Sequence, residues 1–469
     1  MAVCSKCKPA TCSRIPLGRA VMTTYFLPLA VLAELAALLT GVDLLSTLSG
    51  TMMLTFFLLH VGRLEGYARY LFLVTVTVVG VLGAAGQLTA ITLHDAVTAA
   101  AFYAAFLGSL GMMQCLVRRF EVLRRIHDVL LGGPSVWLYP KYALTSCLIA
   151  SVLNFGVMNL LCGALTETLD DRRVTGQSRL RWLRSVLSST LRGFALVPLI
   201  APTSVAVAII TREVPSLTWG QILPFSLMAA AALIAIGWGL EYRRFHLVSQ
   251  ERQELDGWPP GSGRLVLVVL AVFAVMGALV ALTDLNVSRA AMLTVPTVTF
   301  IYMVWEGGRV AGVIREMAGN VSSLTNEMCI FASSAALGVT LAAQVPPSAI
   351  TGLLEHYSGI YLLAVAAMLI LPLGAAFGIA PITVLSFIAG LLGPVAAQGY
   401  EPLLIAVALV IGFSMAMILS PFGPSVMLLS RFGRLSRWVV AFGWNGTFAL
   451  LALPVMLLLL WLWVPFTAS

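Results

Sequence analysis

Many separate runs of about 20 consecutive apolar residues, divided by short charged punctuation, constrain this chain more than any other feature. Wound as a helix, a run of that length crosses a hydrocarbon core of about 30 Å, and inside lipid a helix satisfies its own backbone hydrogen bonds. Candidate spans lie near 24–41, 44–60, 70–92, 97–117, 193–211, 220–241, 265–283, 286–305, 321–345, 402–430 and 438–464. The reading is an all-α polytopic membrane protein of about 11 transmembrane helices. With 59% hydrophobic and 10% charged residues, the chain leaves no stretch for a soluble catalytic domain.

Charge sets the expected orientation. The net charge of +8 is assigned to cytoplasmic loops rather than to nucleic-acid binding. With a cytoplasmic N-terminus, 25 of the 28 basic residues fall inside, and only Arg212, Arg289 and Lys141 do not. An integral protein of a bacterial inner membrane is expected, in contact with membrane lipid. The same bookkeeping makes two further apolar stretches, 135–166 and 359–395, enter and leave by one face each. They read as re-entrant hairpins from opposite sides, with complete helix pairs as the alternative.

Little else in the chain suggests chemistry. Cys4, Cys7 and Cys12 form a C-x2-C-x4-C cluster with no fourth ligand nearby, and the other four cysteines lie in apolar runs, so neither a metal site nor a disulfide framework is expected. Met22 directly precedes the first span and offers an alternative start. There is no Walker glycine loop and no nucleophile triad, so the protein reads as a non-enzyme without cofactors, apart from Na+ or H+ as a coupling ion.

The chain also carries an internal repeat. Residues 192–219 align without gaps on 411–438, pairing Gly193/Gly412, Phe194/Phe413, Pro202/Pro421, Val207/Val426, Arg212/Arg431 and Trp219/Trp438. Phe155-Gly156 matches Phe377-Gly378 in the two hairpin stretches. Opposite running directions make the repeats inverted, an arrangement common in secondary transporters. The chain then divides into a cytoplasmic tail (1–23), an extra helix (24–43), a first repeat (44–241), a cytoplasmic linker (242–264) and a second repeat (265–469).

Prolines within spans mark the candidate sites. Ala201-Pro202-Thr203-Ser204 and Ser420-Pro421-Phe422-Gly423-Pro424-Ser425 should unwind their helices and free backbone groups that need partners. Discontinuous helices of this kind supply carbonyls to cations and N-termini to anions. The hairpin turns contribute Ser151, Asn154, Gly156 and Asn159 on one side, and Gly378 and Thr383 on the other. Asn445 lies inside the last span. Of two intramembrane carboxylates, Glu34 sits on the extra helix and reads as structural, whereas Glu327 is the coupling candidate.

This arrangement resembles the ion-transporter superfamily, which includes the divalent-anion/sodium symporters. The resemblance covers residues 24–464 in architecture, with its motifs confined to 151–166, 192–219, 375–390 and 411–438. Where the divalent-anion branch carries Ser-Asn-Thr at its hairpin tips, this chain has Leu153-Asn154-Phe155 and Ala376-Phe377-Gly378, keeping only the first Asn. The resemblance implies elevator-type alternating access and a homodimer. The expectation is a secondary active transporter of a small anionic solute, driven by a sodium or proton gradient. The rivals are an integral-membrane enzyme or polymerase acting on lipid-linked substrates, and a non-transporting scaffold. The outer loops are short for such an enzyme.

Overall fold

The computed structural model describes residues 17–117, 135–153, 161–163, 165–166, 176–249, 262–354 and 356–467. Among these, every regular element is helical. The first part comprises α1 (Leu17–Thr40), α2 (Asp43–Leu59), α3 (Gly66–Ala84), α4 (Ala90–Gly111) and α5 (Leu138–Leu153). An interrupted rod follows, made of α6 (Gly176–Ala195), α7 (Val197–Ile200) and α8 (Val205–Glu213), and α9 (Trp219–Ser249) closes this half. Beyond the linker come α10 (Ser262–Leu282), α11 (Val287–Trp305), α12 (Val310–Ser323), α13 (Thr325–Ala342), α14 (Tyr357–Ala376) and α15 (Pro381–Ala396). A second interrupted rod, α16 (Leu403–Leu419) and α17 (Pro424–Gly433), precedes α18 (Gly446–Thr467).

Eight helical units among the described residues are long and apolar enough to cross a membrane, and α12 with α13, bent by 57°, makes a ninth if counted as one. Four shorter apolar helices join them, including Asp43–Leu59 and Pro381–Ala396. Helix α16 forms the centre, buried at every residue from Leu404 to Ala416 and packed by α14, α9, α7, α15 and α18. A helix that is apolar on all sides and enclosed by protein needs no polar face.

Two boundaries differ from the sequence reading. The expected span 70–92 stops at Ala84, because Gly86 adopts φ +69°, a left-handed conformation that glycine takes without steric cost. The next helix then starts at Ala90, where the Thr89 hydroxyl caps the Thr92 amide at 3.1 Å. The larger correction concerns 176–192, which reads in sequence as part of a basic loop between the stretch 135–166 and the span at 193. It is a helix, and Ser185, Ser188, Ser189, Thr190 and Arg192 on it are buried. Hydropathy penalises those residues as though they met lipid, whereas here they meet protein.

The stretch 359–395 is a helical hairpin whose two arms meet at Phe377–Ala380, with Gly378 at φ +91°. Its first arm, Ser358–Ala376, is by itself long enough to cross a membrane, and its second is shorter. Of the stretch 135–166, α5 is described, whereas Asn154, Gly156 and Asn159 lie outside the described residues. The two rods break in register: α7 ends at Ile200 and α16 at Leu419, then α8 starts at Val205 and α17 at Pro424, the same 219 residues apart that separate Ala195 and Ser414. Ser414 donates its hydroxyl proton to the Ala195 carbonyl, so two positions with that spacing touch.

The far ends of the bundle are set by polar contacts. Arg212 at the end of α8 reaches Glu213 (3.0 Å) and Thr98 near the start of α4 (3.3 Å), and the Tyr103 hydroxyl donates to Glu213 at 2.7 Å. At the other end, the Glu65 amide before α3 donates to the Asn326 side chain in α13 at 2.9 Å. In a cysteine-free background, a single cysteine at the exposed Gln177 should react with an impermeant maleimide only from the cytoplasm, and one at the exposed Glu401 only from outside. Labelling of both from one face would sink the charge-based topology.

Candidate functional site

Each rod break is tied by a hydroxyl to another helix, the first to α5 and the second to the hairpin arm α14. After α7, Ala201 turns extended (ψ 132°), and the Thr203 hydroxyl donates to the carbonyl of Ser151 in the last turn of α5. Ser204 then caps α8 by accepting from the Ala206 amide at 3.2 Å. After α16, Ser420 turns extended (ψ 110°) and donates to the carbonyl of Ala375 in the last turn of α14 at 3.1 Å. The Ser425 hydroxyl reaches back over the gap to the Met417 carbonyl at 3.0 Å. Proline at the head of α17 begins a helix without needing an amide partner. The carbonyls freed by the interruptions are thus partly met by side chains of the same region.

Between the two breaks lies a cavity of about 130 Å³. Ser151, Thr203, Ser204, Ser420, Gly423, Ser425, Gly378 and Glu327 line it, with the rings of Tyr67, Phe194, Phe331, Phe413 and Phe422. Phe194 with Phe413, and Ser204 with Gly423, face it as pairs with the spacing of the breaks. The hairpin turn closes one side: Tyr67 donates its hydroxyl to the Gly378 carbonyl at 3.2 Å, and the Phe422 ring packs beside Gly378.

Glu327 stands in the first turn of α13, just past the 57° bend at Leu324. Its Oε2 is buried and has no hydrogen-bond partner. No other charged side chain lines the cavity among the described residues. The N-terminal turns of α8, α15 and α17 also face it and favour negative charge, by about 0.3–1 kcal/mol each at exposed helix ends. Ser204 already caps α8, and α15 and α17 begin with proline, which removes an N–H from each. A unit charge 4 Å from an ionised carboxylate interacts by about 4 kcal/mol at an effective dielectric of 20. Glu327, when ionised, therefore sets the sign of the cavity.

A second polar cluster lies apart. Arg192 on α6 is enclosed by protein: it pairs with Glu241 of α9 at 3.2 Å and donates to the Asn445 side chain at 3.0 Å and to the Trp444 carbonyl at 3.2 Å. Its guanidinium lies 4.6 Å from the centre of the Phe448 ring. Trp444 ends a π-helical turn, Val439–Trp444, whose widened geometry leaves that carbonyl to an outside donor. Asn445 completes the cluster by donating to the Val440 carbonyl at 2.8 Å.

The expected site residues therefore fall into distinct places. Eight of them share the cavity, as named above. Pro202 instead lines a wide crevice of about 1210 Å³ beside the first break, which Ser151 also borders. Pro421 is buried behind the second break, and Thr383 donates to the Ser334 hydroxyl at 2.9 Å, away from the cavity lining. Asn445 belongs to the Arg192 cluster. Glu34 is buried and accepts from Ser46 at 3.1 Å. Sequence reasoning missed Arg192 and the five rings of the cavity. Phe194 and Phe413 stood out as an aligned pair and Phe422 lies in the second break, whereas Tyr67 and Phe331 carry no pattern distinguishing them from packing residues; Arg192, beside the aligned Gly193, could have been flagged.

No protein-family model matches the chain, and no curated protein matches it in sequence. Among solved structures, the chain is similar to the YdaH transporter of Alcanivorax borkumensis, whose crystal structure is described as revealing an unusual topology. That likeness has a TM-score of 0.49 at 15% sequence identity and covers 78% of this chain and 85% of the other.

Proposed function

We propose that the protein is a secondary transporter of a bacterial inner membrane, and that its small solute occupies the cavity between the two helix breaks. The carrying observation is the meeting of two interrupted helices, a hairpin turn and one unpartnered carboxylate at a single cavity. Interrupted helices are costly in a membrane unless their free backbone groups serve a ligand or line a pathway. Glu327 is the coupling residue in this reading, since a carboxylate can take up and release a proton where Ser and Thr cannot. Sodium is the alternative driving ion, held by oxygens of the first break around Thr203 and Ser204. Alternating access would move the rods and hairpins against α4 and α13, and assembly as a homodimer fits such a fixed frame.

Thermal unfolding of the purified protein with a panel of small amines, carboxylates and inorganic anions, with and without sodium, tests the proposal. One chemical class should stabilise it, by about 2.7 kcal/mol at a hundredfold excess over the dissociation constant. The double variant Thr203→Val/Ser420→Ala should lose that stabilisation while remaining folded. Ligand stabilisation that survives in the double variant would place the solute elsewhere.

A further inference from the structure

We infer that the solute is a small organic cation, a protonated amine on an apolar body, and that it pairs with Glu327. This rests on the cavity being the solute site.

The hydroxyl protons around the cavity are already committed. Thr203 donates to Ser151, Ser151 to Leu148, Ser420 to Ala375, Ser425 to Met417 and Tyr67 to Gly378, in each case to a backbone carbonyl. What these groups have left to offer is lone pairs. Ser204, which accepts from Ala206, is the exception that keeps a proton to give. The free Oε2 of Glu327 adds one more acceptor and a charge. An ammonium is the complement of such a lining, having donors and no acceptor. A carboxylate solute would bring more acceptors and bury a second anion beside the first.

Among the described residues no compensating cation is at hand, since no Lys or Arg lines the cavity. Arg437 lies 4.5 Å from the centre of the Phe422 ring without lining the cavity. Five aromatic rings line the cavity beside the carboxylate, and ring faces attract cations, most strongly when water is excluded. Its 130 Å³ compares with the roughly 150 Å³ of an apolar cavity that takes up benzene, so a single ring with a short amine arm is the appropriate size.

The pairing also supplies coupling. One carboxylate cannot hold a proton and pair with an ammonium at once, so proton and amine compete for Glu327 and can be exchanged for one another. Among the groups that face Glu327, Glu65 and Tyr67 at the start of α3 are the titratable ones. Helix α15 contributes Ile382, α4 contributes Leu110, and the last turn of α12, Asn320–Ser323, carries no charge.

Isothermal titration of the full-length protein with benzylammonium, benzoate and benzyl alcohol, which share a ring and differ in charge, decides the matter. Benzylammonium should bind about tenfold more tightly than benzoate or better, and Glu327→Gln should cost it about tenfold while changing benzyl alcohol by less than about twofold. Glu327→Asp, which keeps the charge, should retain the preference, and lowering the pH so that Glu327 is protonated should weaken benzylammonium binding. Tighter binding of benzoate, or indifference of benzylammonium to Glu327→Gln, overturns the cation while leaving the cavity as the solute site. Failure of all three compounds to bind folded protein overturns the cavity assignment as well.

Discussion

Replacing Arg192 with methionine should destabilise the protein by about 3–5 kcal/mol, because the change takes away the guanidinium paired with the buried Glu241 carboxylate. The Arg192 and Glu241 side chains are 3% and 0% exposed, so water cannot take the place of the lost partner. The Asn445 side chain and the Trp444 carbonyl lose donors in the same step. Guanidinium-free thermal unfolding in detergent would read the loss as an early transition or as failure to accumulate in the membrane. The double variant Arg192→Met/Glu241→Leu removes both charges and should recover most of the stability, since replacing a whole buried pair by apolar groups is often neutral or better. A single variant as stable as the parent would show that Glu241 is satisfied without Arg192. A double variant no better than the single would show that the amide and carbonyl bonds dominate.

The second large effect is expected at two glycines 219 residues apart. A β-carbon on Gly193 would collide with the backbone carbonyl of Ala143, and one on Gly412 with that of Met368. Each rod thus lies backbone to backbone against one helix, α6 on α5 and α16 on α14. Backbone cannot move aside as the end of a flexible side chain can, so valine at either position must push the helices apart. Overpacking of this kind costs about 1–3 kcal/mol, and valine should reach the upper end at both sites. Gly80→Val is the control: it lies on α3 with open space beside it and should leave the unfolding temperature within a degree or two of the parent, about what a small surface change produces. If Gly412→Val destabilises and Gly193→Val does not, the two helix contacts are not equivalent and the inverted repeat loses its best structural support.

How much of this was legible in the sequence depends on the length scale of the cause. Apolar runs such as 403–419 declared themselves as helices because lipid and a protein interior make the same demand on every residue of the run. The two breaks were legible because proline acts locally: Pro202 and Pro421 lie inside the gaps that separate α7 from α8 and α16 from α17. Ser151, Thr203, Ser420 and Ser425 could be proposed from their nearness in sequence to those breaks and turns.

The tertiary structure decided what depends on distant neighbours. Helix α6 reads as a basic loop until its partners are known, because Arg192 is balanced by Glu241, 49 residues away, and by Asn445, 253 away. The same partnership withdrew Asn445 from the candidate site, and a hydrogen bond to Ser334 of α13, 49 residues away, withdrew Thr383. Glu327 and the five rings gather around one cavity only because helices from both halves of the chain converge there. A sequence fixes which residues tolerate lipid and where a helix must break, since those follow from each residue's own chemistry. Whether a buried charge is balanced, and which hydroxyl has a proton left to give, follows from what packing places within about 3 Å of it, and only the folded chain supplies that.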